Sequence, residues 1–244
     1  NFNMKIALLG YGKMGKEIEK IALERGHEII LKIDVESDWT KVKPLLSGAD
    51  VAIEFSTPQS TIQNIFHSFD VNVPIVVGTT GWMEQLDYVK QICEKNSQTL
   101  FYASNFSIGV NLFFEINNKL ALMMKKQDGY NVTMEEIHHT EKLDSPSGTA
   151  IKLAEGIIEN YGRKKSWVNN ETNEEEVFGI VSKRIDKVPG THTVTWTSAI
   201  DDIELKHTAH NRKGFALGAV MAAEWVRDKR GVFTMHDMLS FMMK

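Results

Sequence analysis

Apolar positions follow two rhythms along this chain of 244 residues. Up to about Phe106, short and almost wholly apolar runs alternate with stretches in which apolar residues recur every three or four positions. The runs are "MKIALLG" (Met4 to Gly10), "EIILKID" (Glu28 to Asp34), "ADVAIEFS" (Ala49 to Ser56), "VPIVVGTTG" (Val73 to Gly81) and "QTLFYASNF" (Gln98 to Phe106). Runs of that length and composition predict strands buried on both faces. Between the first two lies "KMGKEIEKIALERGH", with Met14, Ile18, Ile21 and Ala22 on one helical face and Gly26 as its stop. Further helices are expected at about Gln59 to Ser68 and Glu84 to Lys95. Strand and helix in alternation imply a parallel sheet with right-handed crossovers.

Beyond Phe106 the rhythm changes. One long amphipathic helix is predicted from Gly109 to Lys126, a strand from Tyr130 to His139, and a helix over "GTAIKLAEGIIENYG". A polar, acidic loop (Asn169 to Glu176) follows. The segments "VFGIVSKRI", "THTVTWTSA" and "IELKHTAH" then alternate in polarity and read as antiparallel strands. Helices over Ala216 to Lys229 and "TMHDMLSFMMK" end the chain. The fold class expected is α/β: an N-terminal Rossmann-type dinucleotide-binding domain, then a C-terminal α+β domain with an open mixed sheet.

Composition narrows the function classes. Charged residues are 25% and hydrophobic residues 42%, ordinary for a soluble globular protein. The net charge of −4 and the lack of a Lys/Arg run argue against a nucleic-acid partner. No apolar run reaches the ~18 residues of a membrane span. Met4 reads as the native start, and no signal-peptide pattern follows it. The lone Cys93 excludes an internal disulfide, which fits a reducing cytosol, and reads as a small helix hydrophobe.

Two stretches carry chemistry. "GYGKMG" sets Gly10, Gly12 and Gly15 in a G-x-G-x-x-G pattern directly after a strand and at the opening of a helix. Gly10 permits the tight turn, Gly12 lets a pyrophosphate approach the backbone, and Gly15 lets helix and sheet pack closely. The helix N-terminus faces the phosphates. Asp34 ends the second strand nineteen residues after Gly15, where an acid holds the ribose hydroxyls of NAD. Val35 follows it rather than an arginine, so NADH is the preferred cofactor expected and NADPH the second, with Lys13 and Lys32 near enough in sequence to help a 2′-phosphate. Gly78, Thr79 and Thr80, and the Ser104–Asn105–Phe106 turn, end strands where the nicotinamide would lie.

The second stretch is "HHTEKLDSPSGTA", His138 to Ala150. Ser145 reads as a helix N-cap and Pro146 as the first helical residue. Ser147, Gly148 and Thr149 would then present free amides to an anion, with His138, His139 and Lys142 in reach. A carboxylate-bearing substrate that must be protonated during reduction needs such a set. No metal is expected.

These motifs, with "EFSTP", "VGTTGW", "SNFSIGVN" and "HTAHNRKGFALGAV" in the same order, resemble the dihydrodipicolinate reductase family across nearly the whole chain. In that family a glutamate, one or two apolar residues and two histidines precede a lysine and Asp-x-Pro-Ser-Gly-Thr-Ala. The resemblance implies an NAD(P)H-dependent step of the diaminopimelate route to lysine, in a cytoplasmic homotetramer acting on a small dicarboxylate imine, with no nucleic-acid or membrane partner. It implies that residues 215–244 return to the dinucleotide-binding domain (1–106), leaving 107–214 for substrate binding and oligomerisation. By position, His138 resembles the catalytic acid and Lys142 a second proton donor and substrate ligand; which of them delivers the proton stays open. His139, Ser147, Gly148 and Thr149 match the substrate-carboxylate region. Gly10, Tyr11, Gly12, Lys13, Met14 and Gly15 match the dinucleotide turn, and Arg212 matches an arginine near the domain junction. The site is expected between the domains. The chain departs from the pattern at Asp34-Val35 and in a shorter stretch between Asn160 and Gly190. Rival readings are another two-domain dehydrogenase, which would lack the His-His…Lys…Pro-Ser-Gly-Thr run, and a non-catalytic NADH sensor.

Overall fold

The structure is a computed structural model that describes residues 3–34, 38–211 and 213–242. The chain divides into two compact units. One combines residues 1–108 with 213–244, and the other is 109–212.

The first unit is a doubly wound sheet. Six parallel strands, β1 (Lys5–Leu9), β2 (Glu28–Ile33), β3 (Val51–Glu54), β4 (Ile75–Val77), β5 (Thr99–Tyr102) and β11 (Gly231–Phe233), stand in the order β11-β5-β4-β3-β1-β2. Alternation along β1 decides what each helix covers. Ile6 and Leu8 point into one core, with α1 (Lys13–Glu24), α7 (Lys213–Val226) and Met235 and Met238 of α8 (Met235–Met242). Ala7 and Leu9 point into the other, with α2 (Trp39–Leu46), α3 (Pro58–Asp70) and α4 (Leu86–Lys95). Ile6, Ala7, Leu8 and Leu9 are all fully buried, each large one contributing about 1.5–3 kcal/mol of transfer free energy. Arg25 and His27, at the end of α1, fasten to Glu224 of α7 at 2.7 Å each.

The second unit has five strands, β6 (Asn131–His138), β7 (Ser166–Val168), β8 (Val177–Arg184), β9 (Thr191–Thr197) and β10 (Asp202–Thr208), in the order β10-β9-β6-β8-β7. One face packs on α5 (Ile108–Met124) and α6 (Gly148–Tyr161) through Phe113, Phe114, Met134, Leu153, Phe178 and Trp196. The other face bears Thr133, Glu135, Thr193, Thr195, Glu204 and Lys206, which help line a cavity of about 590 Å³.

Several expectations need correction. β8 runs parallel to β6 and β7, and among the described residues only the β6–β9 and β9–β10 pairs are antiparallel. Alternating polarity reveals which face is buried but carries no strand direction. Helix α2, with Pro44 inside it, and the three-residue strands β7 and β11 were not anticipated. Cys93 is buried in α4, as expected of a small hydrophobe, and burial pushes its thiol up to about 11. Among the described residues, no helix is long and apolar enough to cross a membrane.

Candidate active site

In the first unit the carboxyl ends of β1 to β4 converge. Strand β1 is flanked by β2 on one side and β3 on the other, the switch in winding direction at which open α/β sheets bind ligands. Two clefts of about 570 and 510 Å³ open there and share Gly12, Phe55 and Ser56. Gly10, Tyr11, Asp34 and Trp39 line the first; Lys13, Met14, Gly78, Thr79 and Thr80 line the second.

The turn between β1 and α1 fits a pyrophosphate. Gly10 has φ +103°, and a Cβ there would lie 2.1 Å from the Phe55 carbonyl oxygen, so only glycine passes. Gly15 backs onto the Gly10 carbonyl, whereas a Cβ at Gly12 would meet nothing within 4 Å. Gly12 is the N-cap of α1 and supplies no side-chain hydrogen bond, which leaves the first-turn amides for an anion. Asp34 is exposed at the rim. Lys32 is committed elsewhere: its Nζ lies 3.0 Å from Glu19 and 4.9 Å from the Tyr11 ring centroid, and the Tyr11 hydroxyl donates to the same Glu19. Beneath the clefts, burial pushes Glu54 up; it accepts from Ser56 and Asn64, while the Ser56 amide donates to the Thr79 hydroxyl at 2.8 Å.

Three cofactor expectations fare differently. Ser104, Asn105 and Phe106 are not among the residues lining the two clefts. The Phe106 side chain is core, packed between Phe55 and Phe101. Arg212 and Val35 lie outside the described residues.

In the second unit the His138–Ala150 stretch runs from the end of β6 into α6. The helix begins later than its local signals suggest. Ser147, not Ser145, is the N-cap, its Oγ accepting from the Ala150 amide at 3.1 Å; the Ser145–Pro146 peptide is cis and precedes the helix. Tertiary contacts select Ser147. Its amide donates to Glu136 at 3.0 and 3.2 Å, and its Oγ lies 3.0 Å from His192 Nε2. Ser147 is therefore buried and fully engaged, which corrects its assignment to the substrate. The exposed Gly148, whose missing Cβ faces open space, and the half-buried Thr149 keep the first helical amides for an anion.

Lys142 is held by Asp144, with Nζ 2.7 and 2.9 Å from the two carboxylate oxygens. The Asp144 carbonyl in turn accepts from Arg184 at 2.7 Å. His138 ends β6 nearly buried, and His139 beside it is half-buried.

Sequence reasoning gave no role to the residue at the centre of this cluster. Glu136 is fully buried. Its carboxylate accepts from the Ser147 amide and, at 2.7 Å, from the Ser182 hydroxyl; it lies 3.3 Å from His138 Nδ1 and 3.6 Å from both Arg184 and His192 Nε2. Burial pushes its pKa up, but the histidine and serine contacts prevail and hold it well below the usual carboxylate range. Glu136, His138 and His192 bring ligand-type atoms within 4.8 Å of one another, a set able to hold a metal ion. The sequence signals for Glu136 were the glutamate of the family pattern and its place two residues before His138 on a strand, which puts both on one face.

Burial also holds His192 and His207 below the ordinary imidazole value. A depressed histidine stabilises the fold fully above its unfolded pKa of ~6.5 and loses that contribution as pH falls through the folded value. Urea unfolding followed through Trp196, buried in this unit, should therefore give midpoints that are flat above about pH 7 and decline below about 6.5. Replacing His207 by glutamine should flatten part of that decline, and an unchanged slope would remove His207 from it.

Comparison with known proteins shows the family. Residues 4–106 match the family model described as dihydrodipicolinate reductase, N-terminus, and residues 109–239 match that for its C-terminus. The 4-hydroxy-tetrahydrodipicolinate reductase of Christiangramia forsetii is 51% identical over 241 residues, covering 99% of this chain and all of the relative. The enzyme of the same name from Neisseria meningitidis is 33% identical over 91% of this chain and 83% of its own length. A dipicolinate-bound dihydrodipicolinate reductase from Paenisporosarcina sp. TG-14 shares the fold with a TM-score of 0.80 at 23% identity, over 96% of this chain and 98% of that one. With both halves of the chain matched in order, the chain belongs to the dihydrodipicolinate reductase family.

Proposed function

We propose that this chain reduces the cyclic, dicarboxylate imine formed from 4-hydroxy-tetrahydrodipicolinate, with a reduced pyridine nucleotide as co-substrate. It is a reductase of the diaminopimelate route to lysine. The observation that carries the chemistry is the α6 N-terminus: Gly148 and Thr149 open the helix, and Glu136 joins its N-cap Ser147 to His138, in the same stretch of chain as His139 and Lys142.

The nucleotide supplies the hydride when bound. The Gly10–Gly12 turn and the α1 amides hold its pyrophosphate, Asp34 the adenine-side ribose, and Gly78 to Thr80 the nicotinamide end. Ser104 and Asn105 remain backbone or polar contacts on that side, and Arg212 remains the family's junction arginine. In the second unit, Gly148, Thr149, His139 and Lys142 fix one substrate carboxylate. His138 supplies the proton that quenches the anionic enamine left by hydride addition. Proton donation of this kind is worth about 10² to 10⁴ in rate. Residues 109–212 also carry oligomerisation in this reading, as a cytoplasmic homotetramer. Light scattering on the purified protein checks the assembly. Nucleotide oxidation followed by absorbance, with the imine generated by its preceding synthase, tests the reaction; no oxidation above the substrate-free rate would refute it.

NADH is the preferred cofactor in this reading. A carboxylate at Asp34 accepts from two ribose hydroxyls and repels a 2′-phosphate. Lys32 sits on Glu19 and Tyr11, so it offers that phosphate little. The margin expected is about 1 to 2 kcal/mol, or roughly five- to thirtyfold in kcat/KM. Asp34→Ala combined with Val35→Arg should move the ratio toward NADPH. A parent that prefers NADPH, or a ratio unmoved by the double substitution, would show that Asp34 does not read the ribose.

A further inference from the structure

We propose that Glu136 is a positioning residue for the reduction: its carboxylate keeps a proton on His138 Nδ1, so that the proton His138 gives up is the one on Nε2. The proposal rests on the reading of His138 as the acid and adds which nitrogen acts and what selects it.

The geometry divides the two nitrogens. Glu136 and His138 share one face of β6, and Oε2 lies 3.3 Å from Nδ1. That contact is too poorly aligned for a full hydrogen bond, and the buried Nδ1 has no other partner among the described residues. An ionised carboxylate only accepts. Facing it with a bare Nδ1 would set two lone pairs against each other in a buried site, so the stable neutral ring carries its hydrogen on Nδ1. Nε2 faces the other way, toward Gly190, where a Cβ would stand 3.0 Å from it. Gly190 has φ +157°, and its missing side chain keeps that side of the ring clear.

What holds the carboxylate is as specific as what it holds. One donor is the Ser147 amide at the mouth of α6, and another is the Ser182 hydroxyl on β8. The same group thus ties the anion-binding helix end to the proton donor, and orients both. Other charged or titratable groups near the pair are His192 on β9, with ring centroids 5.0 Å apart, Arg184 on β8, and Lys142 with Asp144 on the following loop. Glu136, His138 and His192 also form a ligand-type set, but both Glu136 oxygens already take N–H or O–H donors, and an anion so satisfied needs no cation.

The proton accounting follows. Hydride addition from the reduced nicotinamide places two electrons and one hydrogen on a substrate carbon. The resulting enamine anion takes H⁺ from Nε2 of the imidazolium. The ring is left neutral as the Nδ1–H tautomer that Glu136 favours, the carboxylate is unchanged, and solvent later returns a proton to Nε2.

The experiment uses the full-length protein with ¹⁵N-labelled histidine, whose long-range nitrogen–carbon-proton correlations report the tautomer of His138. The wild-type neutral ring is expected as Nδ1–H; finding it as Nε2–H overturns the proposal without any variant. Glu136→Gln should shift the ring toward Nε2–H and lower kcat by about 10- to 100-fold, with the imine KM within about threefold. Glu136→Asp, which keeps the charge, should recover part of kcat. A merely structural residue would lower the unfolding midpoint and leave the tautomer alone. If His138→Ala abolishes turnover while Glu136→Gln changes neither kcat nor tautomer, the positioning role fails and the acid assignment stands. If His138→Ala is itself silent, the acid assignment fails. Turnover lost on chelation and restored by Zn²⁺ would make the cluster a metal site and overturn the positioning role.

Discussion

His138→Ala should lower kcat by about 10² to 10⁴ while the Michaelis constants for imine and nucleotide stay within a fewfold. The histidine is nearly buried at the end of β6, so it has little surface to offer a ground-state ligand. Its work falls in the transition state, when negative charge has built up on the substrate and a proton must arrive. His139, its half-buried neighbour just beyond β6, is assigned to the carboxylate. His139→Ala should therefore raise the imine KM more than it lowers kcat. Steady-state kinetics of both variants against imine concentration separate the two. The reverse pattern would swap the roles, and two unaffected enzymes would remove this stretch from the chemistry.

How much of this was legible in the sequence depended on the distance over which each decision is made. The glycine turn was readable because its causes are local: a strand, a tight turn and a helix start within a few residues, with Gly10, Gly12 and Gly15 each in a distinct place. The start of α6 was misplaced for the opposite reason. Ser145-Pro146 satisfies the local rule for a cap followed by a first helical residue. The actual cap, Ser147, is selected by Glu136 and by His192, which lies on another strand. Glu136 stood in plain view in the family pattern, yet its partners Ser182 and His192 come from β8 and β9, so its function exists only once the sheet is assembled. The direction of β8 was equally hidden, because a strand buried on one face alternates in the same way whichever way it runs.

Lys142→Ala is the second large effect expected: kcat/KM for the imine should drop about a hundredfold, with nucleotide affinity near normal. The ammonium is held in place by Asp144 at 2.7 Å and is only partly accessible. It is therefore presented in a fixed position rather than sweeping solvent. Losing a hydrogen bond to a charged partner costs about 1.5–3 kcal/mol, and any share in proton delivery adds to that. Lys142→Arg should rescue little, since a planar fork does not replace a point charge. The check is kcat/KM for imine alongside nucleotide binding by fluorescence. An unchanged kcat and KM for Lys142→Ala would remove the lysine from the mechanism.

The division of the first unit between two stretches of chain has a consequence for how the protein is born. The second unit is one continuous piece, complete once residue 212 has left the ribosome. The first is not. Its edge strand β11 and the helix α7 that fills one of its cores lie after residue 212. Until they emerge, the nascent chain holds β5 as an open sheet edge and leaves Ile6, Leu8 and Phe101 without the Ala219–Ala223 side of their packing. Domains that form during synthesis usually do so from the N-terminus onward. Here the order is inverted: the unit to which substrate binding is assigned can mature first, and the unit with the glycine turn must wait, exposed to off-pathway pairing, until α7 and β11 have been translated.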